Sequence, residues 1–138
     1  MTDFPRIVPM LSYEDVAAAA DWLVRAFGLE ESDRIEHEGE IVHVELRLGT
    51  GAVMLGRPGE SYVNPRRLRE QCEPAARMYA VPWVVDGVWA AVDDLDAHYE
   101  RAREAGATLL SEIEDGPVGR LYRAEDPEGH RWMFAQDQ

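Results

Sequence analysis

The run Ile41 to Leu48 (IVHVELRL) alternates strictly. His43, Glu45 and Arg47 lie on one side with Ile41, and Val42, Val44, Leu46 and Leu48 lie on the other. An imidazole, a carboxylate and a guanidinium in one stripe have two readings. They form a polar wall that orients a small molecule, with Glu45 as acid or base, or a solvated sheet face whose Glu45–Arg47 pair is worth little. Of the other histidines, His37 and His130 fall in turns and His98 on a helix. Only His43 with Glu45 therefore aims two metal-binding groups into one space. A divalent ion needs three or four, so neither a metal nor any other cofactor is expected. Cys72 is the single cysteine, which rules out an intramolecular disulfide and a cysteine-based zinc site. No GxSxG, Walker or GxGxxG motif occurs, so no nucleophilic constellation appears.

The elements that must carry these side chains read as follows. Arg6 to Leu11 is a short β-compatible run in which Pro9 suggests an edge or a bulge. Ser12, Glu14 and Asp15 offer cap and first-turn chemistry for a helix over 15–27. Its face is Val16, Ala19, Ala20, Leu23, Val24 and Phe27, and Gly28 ends it. Strands follow at Glu30 to Arg34, Ile41 to Leu48 and Ala52 to Leu55, with turns at His37 to Glu40 and Thr50-Gly51. Residues 57–78 hold three prolines and the cluster Arg66, Arg67 and Arg69; they read as a connector with one short helix near 65–72. The same order then recurs: a strand Val84 to Val92, and a helix Leu95 to Ala105 with Leu95, Tyr99 and Ala102 inward. Strands Ala107 to Glu112, Arg120 to Ala124 and Arg131 to Ala135 complete it, with turns at Gly116-Pro117 and Asp126 to Gly129. On the penultimate strand Tyr122 and Arg120 either bring a hydroxyl and a guanidinium to a cavity or are exposed.

The recurrence is visible in the letters. YEDVAAAADWLVRAFG at 13–28 matches AVDDLDAHYERAREAG at 91–106, and Asp15 and Asp94 stand 79 positions apart (94 − 15). A near-constant offset across half the chain argues for two copies of one supersecondary unit, and paired copies make a cleft. The expected fold class is α+β, with two tandem βαβββ modules forming half-open mixed sheets around a concave cavity. The boundaries read as module 1 about 5–56, linker about 57–80 and module 2 about 81–136, within one domain spanning 1–138.

The net charge is −13. That disfavours nucleic acid and anionic lipid as partners and permits a cationic ligand. No run approaches a membrane span. The N-terminus MTDFPRIVPM lacks the basic start and apolar core of a signal peptide, so a cytoplasmic protein is expected.

The chain resembles the vicinal oxygen chelate superfamily of glyoxalase I, extradiol dioxygenases and bleomycin-resistance proteins. The segments SYEDVAAAADWLVRAFGLEE, VHVELRLGTGAVMLG, VDDLDAHYERAREAGA and RLYRAEDPEGHRWMFA carry the resemblance, which spans nearly everything except 57–78. It looks closest to the small stand-alone glyoxalase-like members. Metal-using members hold their ion at four strand positions. Carried over, these fall at Val8 (or Met10, two residues on), Leu55, Gly87 and Met133, none of which suits a hard or borderline cation. The resemblance thus implies an apolar cavity floor of Met10, Leu55 and Met133. Trp89 shares strand parity with Gly87 and would form an aromatic wall, or else fill the core; Trp132 has the other parity and should pack on a helix.

Three functions fit. The first is a metal-free small-molecule-binding protein of the bleomycin-resistance type that sequesters a cationic or aromatic antibiotic as a homodimer. Its contacts would come from Trp89, His43, Glu45, Arg47, Met10, Leu55, Tyr122 and Met133, with no catalytic residue. The second is a lyase, isomerase or dioxygenase-type enzyme with a non-standard site. The third is an interaction domain whose concave face takes a partner chain.

Overall fold

The computed structural model describes residues 4–83, 86–117 and 119–136. The chain divides into two compact units, one ending at Val63 and the other starting at Asn64. No described helix is long and apolar enough to cross a membrane.

The first unit holds β1 (Met10–Ser12), α1 (Val16–Phe27), β2 (Glu30–His37), β3 (Glu40–Leu48) and β4 (Gly51–Gly56). Its sheet runs β1-β4-β3-β2, with β1 parallel to β4 and the other pairs antiparallel. The first strand begins later than the expected Arg6. Pro9 has no N–H to give, so the ladder opens with its carbonyl, which accepts from Met54 N at 2.9 Å. Ser12 therefore ends a strand and does not cap the helix. Asp15 does so, its carboxylate accepting from Ala18 N at 3.0 Å. Gly28 closes α1 in the left-handed conformation, φ 77°. Val16, Ala19, Ala20, Leu23 and Phe27 are buried, as are Val44, Leu46, Val53 and Leu55 of the sheet. Glu38 and Gly39 both have positive φ in the β2–β3 turn, as a two-residue hairpin with matching twist requires.

The second unit opens with α2 (Pro65–Gln71) and α3 (Glu73–Met78). It continues with β5 (Gly87–Ala91), α4 (Leu95–Glu104), β6 (Thr108–Leu109), β7 (Glu114–Gly116), β8 (Gly119–Glu125) and β9 (Arg131–Gln136). The sheet runs β5-β9-β8-β6, with β7 also on β8. Val84 and Val85 of the expected strand lie outside the described residues. Two helices stand where one was expected, because Pro74 occupies a first-turn position, where proline starts a helix and does not break one.

The expected strand Ala107 to Glu112 is also corrected. Thr108 and Leu109 pair and Leu110 N still donates to Arg123 O at 2.9 Å, but Arg123 N donates to Ser111 Oγ at 3.1 Å in place of a backbone carbonyl, and the strand ends there. On α4, Leu95 and Ala102 are buried as expected. His98, not Tyr99, is the third buried side chain, and Tyr99 sits half-buried with its ring edge-on to Tyr122.

Candidate ligand-binding faces

In each unit one sheet face carries the helix, and strand pairing fixes what stands on the other. In the second unit three rows cross the sheet from β5 through β9 to β8: Gly87–Arg131–Glu125, Trp89–Met133–Arg123 and Ala91–Ala135–Leu121. Paired residues share a face, so Trp89, Met133 and Arg123 stand side by side. Trp89 is 55% exposed, while Met133 and Arg123 are half-buried.

The row at Gly87 is closed by charge. Glu125 is buried and receives Arg69 in a bidentate pair, both contacts at 2.7 Å, Arg131 Nε at 2.9 Å and Arg66 Nη2 at 3.3 Å. Arg131 also donates to the carbonyls of Tyr79 at 2.7 Å and Trp83 at 2.8 Å. The cluster thereby fastens α2 and the chain after α3 to the sheet. Burial pushes the Glu125 carboxyl up, but the guanidiniums of Arg69 and Arg131 outweigh it and hold the group below the usual carboxylate range. At the far end of the face Ala91 is exposed, whereas Ala135 and Leu121 are buried.

The same construction appears in the first unit. Met10 pairs with Met54, Met54 with Glu45 and Glu45 with Asp33, giving a row of two thioethers and two carboxylates. Next to it stand Ser12, Gly56, His43 and Ile35. His43 Nε2 lies 3.8 Å from Glu45 Oε1, and the Arg47 guanidinium sits over the Phe4 ring, 4.7 Å from its centre. Met10 is 77% exposed. The predicted stripe of His43, Glu45 and Arg47 thus shares the face turned away from α1 with Met10, as Trp89 shares a face with Met133.

Two predicted contact residues are elsewhere. Leu55 is 0% exposed and packs on the helix side with Val44, its neighbour in β3; the side chain on the other face is Met54. Tyr122 is also 0% exposed, on the α4 side, its hydroxyl 2.6 Å from His98 Nδ1. Burial raises the Tyr122 phenol far above its usual range, so it stays a neutral partner for the imidazole. Arg120 is on that side as well, paired with Asp96 of α4 at 2.9 and 3.0 Å. Trp132 is core, as expected, and donates to Asp126 Oδ2 at 3.1 Å. The strand-parity signal was enough to find Met54, which the sequence reading missed. Nothing in the spacing pointed to the Glu125 cluster, beyond charged residues at alternate positions of otherwise apolar strands.

Of the positions that the resemblance implies for an ion, Val8, Leu55, Gly87 and Met133, Leu55 points into the core and its neighbour Met54 takes the other face. This donor set of two thioethers, an isopropyl group and a hydrogen does not fit a hard or borderline divalent cation. Among the described residues no three His, Cys, Asp or Glu side chains gather as a metal site. Two clefts, of about 270 Å³ beside Glu14, Glu40 and Arg57 and about 290 Å³ beside Asp96, Tyr99 and Glu112, lie away from both rows.

Two mixed sheets of four and five strands, each backed by a helix, with apolar side chains in matching rows, define a class: the chain belongs to the glyoxalase/bleomycin resistance protein/dioxygenase superfamily, whose profile matches residues 6–134. Among solved structures it is similar to TioX from Micromonospora sp. ML1, with 35% identity, TM-score 0.71, and coverage of 97% of this chain and 99% of that one. The bleomycin-binding protein of Streptomyces verticillus, solved with copper(II)-bleomycin, shares the fold at 20% identity, TM-score 0.61, both chains covered in full. Mb0911c of Mycobacterium bovis is 31% identical over 134 residues, 96% of this chain and 83% of that protein.

Proposed function

We propose that this protein binds and sequesters a flat aromatic or cationic antibiotic, and needs no metal to do so. The observation that carries this reading is the repeated row: Met10–Met54 in one sheet, Trp89–Met133 in the other. Thioethers and an exposed indole are adaptable, polarizable contacts for rings and soft cations. The carboxylates of Glu45 and Asp33 beside Met54, and a net charge of −13, favour positive ligands. The similarity to a bleomycin-binding protein supports the same class of ligand.

The test is tryptophan fluorescence during titration with ethidium and with copper(II)-bleomycin, the ligand recovered and assayed afterwards. Saturable quenching with the ligand recovered intact is expected. Consumption of the ligand would move the assignment to an enzyme, with His43 and Glu45 as its acid and base; no quenching by either compound would remove the reading. A cytoplasmic homodimer belongs to the same proposal. Sedimentation should then give twice the 15.6 kDa chain mass at micromolar concentration.

A further inference from the structure

Met10 and Met54 pair directly in parallel strands, and Met54 pairs on its other side with Glu45. His43 stands one pair further along the same face, opposite Gly56, which has no side chain to separate the imidazole from Met54. Directly paired residues have Cβ atoms about 5 Å apart and diagonal ones about 7–8 Å, both within the reach of a thioether on three rotatable bonds. These groups are open to solvent. Met10 is exposed, Met54 is half-buried, and the His43 and Glu45 side chains are 24% and 22% exposed. Arg47, which shares the face, is held over the Phe4 ring.

Thioethers are poor ligands for hard and borderline divalent ions, but they select copper(I), a soft monovalent ion that imidazole also suits. Two thioethers and an imidazole are the three donors such an ion takes in a plane. The carboxylates of Glu45 and Asp33 flank them and favour a positive charge. The corresponding places in the second unit hold Trp89, Met133, Arg123 and Leu121, so that sheet offers one thioether and a guanidinium instead.

We infer that the face of the first unit binds a single copper(I) ion through the thioethers of Met10 and Met54 and the imidazole of His43. The ion enters and leaves as copper(I), with no electron transferred. The site goes beyond the ligand reading above and does not depend on it.

The test uses copper(I) alone, supplied without oxygen as its acetonitrile complex, on the full chain with carbon-13 methionine methyls. The free thiol of Cys72, at the junction of α2 and α3, would compete for the ion, so the titration is done on Cys72→Ser. The methyl signals of Met10 and Met54 should move together and saturate at one ion per chain, while those of Met78 and Met133 stay in place. Zinc at the same concentration should move none of them. In competition with bathocuproine disulfonate, Met10→Leu and His43→Gln should each weaken copper binding by more than about tenfold, at least what losing an outer-shell partner costs. Met10 is exposed, so Met10→Leu decides the matter should His43→Gln fail to fold. Movement of Met78 or Met133 at the same copper concentration, an equal response to zinc, or affinity that survives both variants overturns the inference.

Discussion

Met10 and Trp89 occupy the same address in the two sheets: each pairs in parallel with a methionine 44 residues further along the chain, Met54 and Met133 (54 − 10; 133 − 89). One copy presents a thioether there and the other an indole, both well exposed. The two positions correspond in pairing while their side chains differ.

Trp89→Ala should weaken ethidium binding by about tenfold, the worth of an aromatic face plus cation–π attraction. An exposed side chain contributes little to stability, so the melting temperature should fall by less than about 3 °C. Titration and thermal melts on one preparation check both. A drop several times larger would identify Trp89 as core.

Tyr122→Phe should do the opposite. It removes the hydroxyl 2.6 Å from His98 Nδ1 and leaves a buried imidazole nitrogen bare, at a cost of about 1–2 kcal/mol. Urea denaturation measures that loss, and ethidium affinity should stay within about twofold because Tyr122 faces α4.

Glu125→Gln should cost about 3 kcal/mol or more, since it strips the buried Arg131 of its counter-charge. The pH dependence has a definite sign. The folded Glu125 carboxyl lies below the ordinary value of about 4.3, so its stabilisation is fully present above roughly pH 5 and is lost as pH falls through the lowered value. Urea midpoints at pH 7 and pH 3 should differ more for the unmodified protein than for the variant.

Gly129→Ala should loosen α2. Gly129 has φ +95°, and an added Cβ would meet Arg66 N at 2.7 Å, where that N–H donates to Glu128 O. Strain of about 1–3 kcal/mol is expected, and limited proteolysis should then cut within residues 65–78 faster than in the unmodified protein.

Most of the framework was legible in the letters because local rules agree with tertiary ones there. Asp15, the apolar face of α1 and Gly28 all mark the same helix, and the alternation of Ile41 to Leu48 matches the burial of Val44 and Leu46. Where a side chain replaces backbone pairing, as Ser111 does, the strand pattern over 107–112 misleads. The candidate face turned on a single residue. The turn before β4 is Gly49-Thr50 and not Thr50-Gly51, and Leu55, expected to face the cavity, is buried on the helix side while Met54 takes the other face; a slip of one in a strand moves a side chain to the opposite face. Met133, counted from the Asp126 turn, pairs with Trp89 and Arg123 on the face opposite the buried Trp132 and Phe134. The Glu125 cluster joins residues 56 positions apart, Arg69 and Glu125, and no periodicity records such a meeting.

The rivets between Arg69, Arg131 and Glu125 also decide where this chain tolerates being lengthened. Everything from Asn64 onward is stitched into the later half, by Asn64 to Glu128 at 3.2 Å as well as by the arginines. The stretch from Pro58 to Ser61 has no such stitching on its side chains and is mostly exposed. A foreign peptide spliced in there would lengthen a strap and leave both buckles fastened, whereas the same insert ten residues later would tear one of them open.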